Sequence, residues 1–203
     1  MKIICIGRNY AKHAKELKNS IPQEPLFFLK PETAIQPKGH PFFIPHFSNN
    51  IHYEVELVIK IDKNGKHIQE QFAHKYYSNI GLGIDFTARD IQEELKKKGL
   101  PWEKSKSFDG SAAISNQFLH KNDLNLQNLN FHLKKNGNIV QRGNINEMIF
   151  NIDQIISFIS KYFTLKIGDL IFTGTPSGVS NVKTGDLLEG YIEKIKVLEI
   201  KIK

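Results

Sequence analysis

The chain has 203 residues, of which 40% are hydrophobic and 24% are charged, and its formal net charge is +7. This length predicts a single domain over residues 1–203, and the single cysteine, Cys5, excludes an internal disulfide and favours a reducing compartment. The first residues carry too short an apolar run for a signal peptide, and no stretch approaches the roughly 18 apolar residues of a membrane helix, so we expect a cytoplasmic protein without a membrane partner.

The positive charge comes mainly from lysines that are spread along the whole sequence. Clustered Lys and Arg would indicate nucleic-acid binding, because such clusters neutralise phosphates. The densest run, Lys96-Lys97-Lys98, instead closes a predicted helix, where cations interact favourably with the negative end of the helix dipole. We therefore expect no nucleic-acid partner, and a positive field can equally attract a small anionic substrate.

The first part of the chain combines strand patterns with one helix and a proline-rich segment. Residues 2–6 predict a short buried strand, and residues 9–18 predict a polar helix. Six prolines between positions 22 and 45 disfavour a helix over residues 21–48. Residues 51–61 have apolar side chains at every second position, which predicts a half-buried strand, and Asn64-Gly65 predicts a tight hairpin turn after it.

A central strand and a helix are predicted next. Residues 78–86 have the composition of a strand, which two internal glycines are expected to loosen. Thr87 is expected to cap the helix that follows, and this helix should run to Lys98 and stop at Gly99.

The last part of the chain is again rich in strand patterns. Asn136-Gly137 is expected to join two strands near residues 129–142, and residues 152–163 predict a helix capped at Asn151. Short strands alternate with glycine turns after Gly168. Strands dominate and no regular βαβ alternation is visible, which predicts a mixed α/β fold, predominantly β, with peripheral helices.

Two carboxylates share the polar face of the strand predicted over residues 51–61. Glu54 and Glu56 are two residues apart, so their side chains point the same way. A solvated strand face is one explanation, but glutamate has a low strand propensity, and adjacent like charges repel unless a cation binds between them. Asp85 ends an apolar strand, where it is either a turn or capping residue or a third ligand. Three carboxylates would suit a hard cation such as Mg²⁺.

Several short segments are spread across essentially the whole chain. They are Gly7-Arg8-Asn9-Tyr10, Phe28-Leu29-Lys30-Pro31, His52-Tyr53-Glu54-Val55-Glu56-Leu57, Gly83-Ile84-Asp85, Thr87-Ala88-Arg89-Asp90, Lys106-Ser107-Phe108-Asp109, Met148-Ile149-Phe150 and Thr173-Gly174-Thr175-Pro176-Ser177-Gly178-Val179. In this order and spacing they together resemble the fumarylacetoacetate hydrolase family. The short length and the Lys98-Gly99-Leu100-Pro101-Trp102 segment are most similar to the acylpyruvase subgroup, which also has oxaloacetate decarboxylase activity.

The resemblance implies the mixed β-roll fold of the family, usually as a homodimer. It implies Mg²⁺ or Mn²⁺ bound by Glu54, Glu56 and Asp85, and a catalytic pair formed by His13 and Glu16. These two residues are also three apart on a predicted helix, hence within reach of each other. The alternative is an exposed helix with incidental His and Glu neighbours. An unperturbed imidazole would titrate near pH 6.5, and Glu16 would move that value upward.

Further side chains are assigned to the site by the same resemblance. Lys106, rather than the nearby Lys104, is expected to stabilise negative charge that develops near the cation. Arg89 and Gln92 are expected to orient the substrate, although both would also suit a polar helix surface. Thr175 is expected to present a hydroxyl and backbone N–H groups to a carboxylate, although it could simply belong to a tight turn.

The implied activity is hydrolysis of a carbon–carbon bond in an acylpyruvate-like 2,4-dioxo acid, a small anionic substrate, to pyruvate and a carboxylic acid. His13, oriented by Glu16, would activate a water while Lys106 stabilises the enolate that is left. Residues 9–20 are expected to act as a mobile lid. Alternatives on the same site are oxaloacetate decarboxylation and keto–enol or double-bond isomerisation of a 2-oxo acid. A remote alternative is a non-catalytic basic binding protein.

Overall fold

The computed structural model describes residues 1–17 and 20–203, and strands dominate this part of the chain. The strands are β1 (Ile3–Gly7), β2 (Leu26–Lys30), β3 (Ile51–Tyr53), β4 (Val55–Ile61), β5 (Tyr77–Asp85), β6 (Thr87–Ala88), β7 (Ala112–Ile114), β8 (Leu119–His120), β9 (Asn130–Lys135), β10 (Asn138–Asn144), β11 (Leu170–Phe172), β12 (Ser180–Asn181), β13 (Leu187–Ile192) and β14 (Ile195–Lys201). The α-helices are α1 (Ala11–Glu16), α2 (Glu70–Ala73), α3 (Arg89–Lys98), α4 (Glu103–Lys106) and α5 (Ile152–Tyr162). The predicted fold class, mixed α/β and predominantly β, is confirmed.

The strands form three sheets. The largest has the order β2-β1-β11-β4-β5-β7, with β8 pairing to β5 outside that path, and the other two have the orders β10-β9-β13-β14 and β12-β3-β6. β1 and β11 pair in parallel, whereas β4 pairs antiparallel with both β11 and β5. One apolar core connects the large sheet with the four-stranded sheet and with α5. None of the helices in residues 1–17 and 20–203 is both long and apolar enough to cross a membrane.

The strand predicted over residues 51–61 is interrupted, and most of it is buried on both faces. Glu54 separates β3 from β4. On the face expected to be polar, Glu54 and Glu56 are buried and His52 is half-buried, while Lys60 is exposed. The expectation of a half-buried strand is therefore wrong. Within the large sheet β4 is paired on both edges, with β11 and β5, and both glutamates are buried in the protein interior.

The tight hairpin predicted at Asn64-Gly65 is also wrong. Gly65 forms a bridge with Leu165, and the Asn64 side chain accepts a hydrogen bond from the backbone N–H of Ile167 at 2.8 Å. The chain then passes through α2 before it returns as β5. Contacts with a distant segment therefore replace the local turn that Asn-Gly favours.

Thr87 does not cap α3. It lies in β6, its hydroxyl donates to the carbonyl of Asp85 at 3.2 Å, and α3 begins at Arg89 without a side-chain cap. The predicted end of this helix is confirmed, because Gly99 has a φ of 63° in the left-handed region that favours glycine. Thr87 is thus positioned for contacts within the site.

Two local predictions in the last part of the chain are confirmed. Asn136 and Gly137 have φ angles of 52° and 81°, as a type I′ hairpin between β9 and β10 requires. Asn151 forms a reciprocal capping box with Gln154, with hydrogen bonds of 2.9 and 3.0 Å. These elements depend on neighbouring residues alone, which is why the sequence predicts them well.

The glycines of β5 allow close packing rather than loosening the strand. A Cβ atom at Gly83 would lie 2.3 Å from Cε1 of Phe172 and 2.8 Å from Cγ2 of Val58. We expect Gly83→Ala to lower the free energy of unfolding by about 1–3 kcal/mol, measured by denaturant titration. The exposed Lys60→Ala on the adjacent strand should change it by less than about 0.5 kcal/mol. Equal unfolding midpoints for Gly83→Ala and the unsubstituted protein would contradict this.

Candidate active site

Three buried carboxylates converge where β3, β4 and β5 meet. Glu54 lies between β3 and β4, Glu56 lies on β4, and Asp85 ends β5. The backbone N–H of Asp85 donates to the carbonyl of Glu54 at 2.9 Å, which holds the two segments together. One oxygen from each carboxylate lies within 4.8 Å of the others, and each residue is at most 4% exposed. The three predicted ligands are therefore brought together, whereas their binding of a metal stays a prediction.

Basic side chains neutralise two of these carboxylates. The Lys106 ammonium lies 2.7 Å from Oε2 of Glu54 and 2.6 Å from Oδ2 of Asp85. The Lys30 ammonium lies 2.8 Å from Oδ1 of Asp85, and Arg89 forms an ion pair with Glu54. Burial would raise the pKa of Glu54, but Lys106 and Arg89 lower it well below its usual range. Burial would lower the pKa of Lys106, but Asp85 and Glu54 raise it.

Glu56 is the exception. Within the described ranges, no basic side chain lies at ion-pair distance from its carboxylate, which accepts a hydrogen bond from the N–H of Gly174 at 2.7 Å. Burial raises the pKa of Glu56 well above its usual range, and the charges of Asp85 and Glu54 raise it further. Glu56 is therefore the carboxylate of this group whose negative charge no basic side chain of the described residues neutralises at ion-pair distance.

The donor set fits a hard divalent cation. Oδ1 of Asp85 is buried, and its basic partner among the described residues is the Lys30 ammonium at 2.8 Å, so a second lone pair of this oxygen is available to a ligand. Oxygen ligands alone are the preference of Mg²⁺ and Mn²⁺. A cation bound by Glu54, Glu56 and Asp85 would relieve the repulsion that raises the pKa of Glu56.

The predicted catalytic pair on α1 is in contact. Nδ1 of His13 lies 3.2 Å from Oε2 of Glu16, and Glu16 also accepts a hydrogen bond from the N–H of Gly178 at 3.1 Å. His13 is only 6% exposed and lines the same cavity as the three carboxylates, so the alternative of an exposed helix is wrong. The mobile lid was predicted over residues 9–20, with a helix over residues 9–18. Residues 18 and 19 lie outside the described residues. The mobility of the lid stays a prediction.

Burial decides the titration of His13. It lowers the pKa of the imidazole from 6.5, and the charge of Glu54 and the hydrogen bond with Glu16 offset this only in part. Glu16 therefore raises the pKa of His13, as expected, but burial outweighs it and the net direction is downward. The imidazole stays neutral, as a base must, over a wider pH range than a solvated histidine.

The predicted substrate-orienting residues contact each other. Arg89 donates to Oε1 of Gln92 and to Glu54, and its Nε lies 3.4 Å from Nδ1 of His52. Burial and the positive charge of Arg89 lower the pKa of His52 to about 4. The side chains of Arg89, Gln92 and Glu54 are buried, whereas His52 is half-buried. Gln92 thus holds the guanidinium in place, and a substrate-binding role for this pair stays a prediction.

Thr175 lies in the loop after β11, within the cavity lining. Its hydroxyl accepts a hydrogen bond from Nε2 of Gln141 at 2.9 Å, and the same amide donates to the carbonyl of Pro176 at 2.9 Å. Asn9 anchors the neighbouring turn through Nδ2, which donates to the carbonyl of Thr173 at 2.8 Å. The loop is therefore rigidly held beside the carboxylates, and its role in binding a substrate carboxylate stays a prediction.

Three further basic residues lie at this site that the sequence did not assign to it. Lys30 forms an ion pair with Asp85 and donates to the carbonyl of Lys106 and to Ser111. Arg8 and Lys96 line the cavity at its partly exposed edge. Lys30 could have been found from the sequence, because it is a lysine at the end of the otherwise apolar strand β2. Lys104 is exposed and lines a separate groove, so the choice of Lys106 agrees with the geometry.

The cavity enclosed by these residues is small, about 40 Å³. It is lined both by the three carboxylates and by His13 of α1.

Comparisons with known proteins agree with this geometry. The family model described as fumarylacetoacetate (FAA) hydrolase C-terminal matches residues 2–203. A mitochondrial oxaloacetate tautomerase of Mus musculus is 45% identical over 202 residues, 99% of this chain and 91% of the mouse protein. A mitochondrial oxaloacetate decarboxylase of Dictyostelium discoideum is 47% identical over 190 residues, 93% of this chain and 87% of that protein. These relatives are mitochondrial, so the cytoplasmic location stays a prediction.

A solved structure with the same fold was determined with a cation. The crystal structure of fumarylpyruvate hydrolase from Pseudomonas aeruginosa, in complex with Mn²⁺ and pyruvate, matches with a TM-score of 0.92 and 34% identity. The match covers 100% of this chain and 89% of that one. The predicted family resemblance is confirmed over nearly the whole length.

Proposed function

This chain belongs to the fumarylacetoacetate hydrolase family, and we propose that it is a metal-dependent enzyme that interconverts the enol and keto forms of oxaloacetate. Relatives more than 40% identical carry the names oxaloacetate tautomerase and oxaloacetate decarboxylase. This was the alternative, rather than the first choice, in the sequence analysis. The observation that carries it is the group of three buried carboxylates with the Lys106 ammonium between two of them.

The cation would be held by Glu54, Glu56 and Asp85. When bound, it would act as a Lewis acid that polarises the 2-oxo group of the substrate and stabilises negative charge on that oxygen. Either Mg²⁺ or Mn²⁺ suits these ligands.

The protein's own side chains supply the proton transfers. The neutral His13 imidazole removes a proton from C3 of the keto acid, and returns it to C3 in the reverse direction. Glu16 fixes the tautomer by accepting from Nδ1, so that Nε2 is the free base. The Lys106 ammonium stabilises the charge on the C2 oxygen, which takes up the proton from the His13 imidazolium to complete the enol and restore the neutral base. The carbon skeleton stays intact and no water is consumed.

The small cavity supports a small substrate. Oxaloacetate has four carbons, whereas the acylpyruvates that the sequence analysis favoured are longer. The partly exposed wall of the cavity is formed by side chains such as Phe28 and Trp102, whose ring centroids are 6.0 Å apart. A short acid therefore matches this cavity better than a long one.

Acylpyruvate hydrolysis is a second candidate, because one observation favours it. A buried histidine paired with a carboxylate is also what a water-activating base requires. The two functions differ in products, so one preparation with Mg²⁺ should be assayed for enol decay of oxaloacetate, for release of CO₂, and for cleavage of acetylpyruvate. We expect kcat/KM to be highest for the oxaloacetate enol. Faster cleavage of acetylpyruvate would make hydrolysis the main function.

The lowered pKa of His13 predicts the pH profile. The base acts when neutral and is lost as the pH falls through its pKa, so the acid limb of kcat/KM for oxaloacetate should lie below pH 6.5. Glu16→Gln removes a group that favours the imidazolium and should move this limb further down. A limb above pH 6.5, or an upward movement in Glu16→Gln, would contradict the assignment.

We also propose that the protein is a homodimer, as the family resemblance implies. An exposed apolar groove of about 840 Å³, lined in part by Leu29, Phe47 and Phe108, is a surface that a second copy could cover. Sedimentation velocity at micromolar concentration should give a mass near twice that of the 23.3 kDa chain. A single species at the monomer mass would exclude it.

A further inference from the structure

The inner cations of the site are already engaged. Lys30, Lys106 and Arg89 each form an ion pair with Glu54 or Asp85. With a divalent cation among the carboxylates, the inner site gains two positive charges. Two positive charges balance the two negative charges at one end of a 2-oxo acid, which are those of its carboxylate and its enolate oxygen. A carboxylate at the other end of the substrate would need positive charge from elsewhere.

That charge is present at the rim of the cavity. We define the rim as the partly exposed lining residues, which are Gly7, Arg8, Leu17, Phe28, Lys96 and Trp102. Two of the six are cations from different elements: Arg8 follows β1 and Lys96 lies on α3. No carboxylate of the described residues lies within ion-pair distance of Arg8.

The local backbone and electrostatics indicate that this arrangement is enforced. Arg8 has a φ of 59°, a left-handed conformation that a residue with a long side chain adopts only where its surroundings require it. Burial lowers the pKa of Lys96, and the positive charges of Arg8 and Arg89 lower it further. Cations that repel one another beside a substrate cavity form a site for an anion.

We propose that Arg8, assisted by Lys96, binds the distal carboxylate of the substrate and so selects 2-oxo dicarboxylates over 2-oxo acids with a neutral end. This rests on the proposed function, because it assigns the inner carboxylates and cation to the 2-oxo acid end. A guanidinium fork matches the two oxygens of a carboxylate. Phe28 and Trp102, on the same rim, would instead favour a substrate with a neutral acyl group. Comparing a substrate that has a distal carboxylate with one that lacks it distinguishes the two preferences.

The kinetic test compares two substrates in the Mg²⁺-loaded protein. Oxaloacetate has a distal carboxylate, whereas acetylpyruvate ends in a methyl ketone. Arg8→Asn, which tolerates the left-handed backbone, should lower the ratio of their kcat/KM values by about tenfold or more, mainly through KM for oxaloacetate. Lys96→Met should lower the same ratio, and Lys97→Met, its exposed neighbour on α3, should not. An unchanged ratio in Arg8→Asn, or equal effects of the two lysine variants, would overturn the proposal.

A binding test keeps this inference separate from the proposed function. Malate and lactate share the 2-hydroxy acid end and do not react by this chemistry, but only malate has a distal carboxylate. Calorimetric titration should show tighter binding of malate than of lactate, and Arg8→Asn should weaken the binding of malate about tenfold or more. The unfolding temperature of Arg8→Asn is measured alongside, to show that the variant is folded. If oxaloacetate is not turned over but the malate preference depends on Arg8, the proposed function fails and the carboxylate site stands. Equal affinities for both acids would overturn the site itself.

Discussion

Glu56→Gln is expected to abolish both divalent-cation binding and activity, by more than about 100-fold in kcat/KM, without destabilising the metal-free protein. The substitution removes a ligand oxygen. It also removes the one carboxylate of the three that lacks a basic partner and that burial and Asp85 keep at a raised pKa. The metal-free variant should therefore be at least as stable as the unsubstituted protein. Calorimetric Mg²⁺ titration and thermal unfolding with and without Mg²⁺ measure both effects.

Asp85→Asn serves as the comparison. Asp85 lies between the ammonium groups of Lys30 and Lys106, so its neutralisation leaves two buried cations with less compensation. This variant should lose activity and also stability, since breaking a buried ion pair costs about 3–5 kcal/mol. Mg²⁺ binding to Glu56→Gln with unchanged affinity would contradict the assignment of the ligands.

Lys106→Met is expected to lower kcat by about 10²–10³-fold, whereas Lys104→Met should leave it nearly unchanged. The Lys106 side chain is buried, and its ammonium lies 2.6 Å from Oδ2 of Asp85, so it can reach charge that develops beside the ligands. Lys104 is exposed and faces a different groove. The pair differs by two positions in one short helix, which makes Lys104→Met a matched control for loss of a positive charge.

Stability gives a second measurement on the same variants. Removal of Lys106 leaves Glu54 and Asp85 with one basic partner each, so the metal-free protein should unfold at a lower temperature, and Mg²⁺ should restore part of the loss. Lys104→Met should stay within about 0.5 kcal/mol of the unsubstituted protein. Equal losses of activity in both variants would mean that Lys106 is not the residue that stabilises the developing anion.

Elements set by neighbouring residues were predictable from the sequence. The helix cap at Asn151 and the strand connection at Asn136-Gly137 depend on contacts within four residues, and both were predicted in place. The ligand carboxylates Glu54 and Glu56 were predictable because alternation in a strand places them side by side. The burial of Glu54 and Glu56 was not predictable in this way, because it results from strands that are distant in sequence and pack around them.

Long-range contacts account for the errors. Asn64 favours a turn locally, but its side chain binds the N–H of Ile167, a residue 103 positions away. His13 has a polar neighbourhood in sequence but is buried, and its partner Glu16 accepts a hydrogen bond from Gly178, 162 positions away from Glu16. Arg8 is distant from Lys96 in sequence, and nothing local indicates that the two meet at one cavity.

The most direct test of the central claim follows the enol form of oxaloacetate, which absorbs ultraviolet light more strongly than the keto form. Enol decay should be measured with Mg²⁺ alone, with Mg²⁺ and the protein, with excess chelator, and with Mg²⁺ and Glu56→Gln. We expect the protein with Mg²⁺ to accelerate the decay well beyond Mg²⁺ alone, and both chelator and Glu56→Gln to return it to the rate without protein. Enol decay at the same rate with and without the protein, or acceleration that persists in excess chelator, would contradict a metal-dependent oxaloacetate tautomerase.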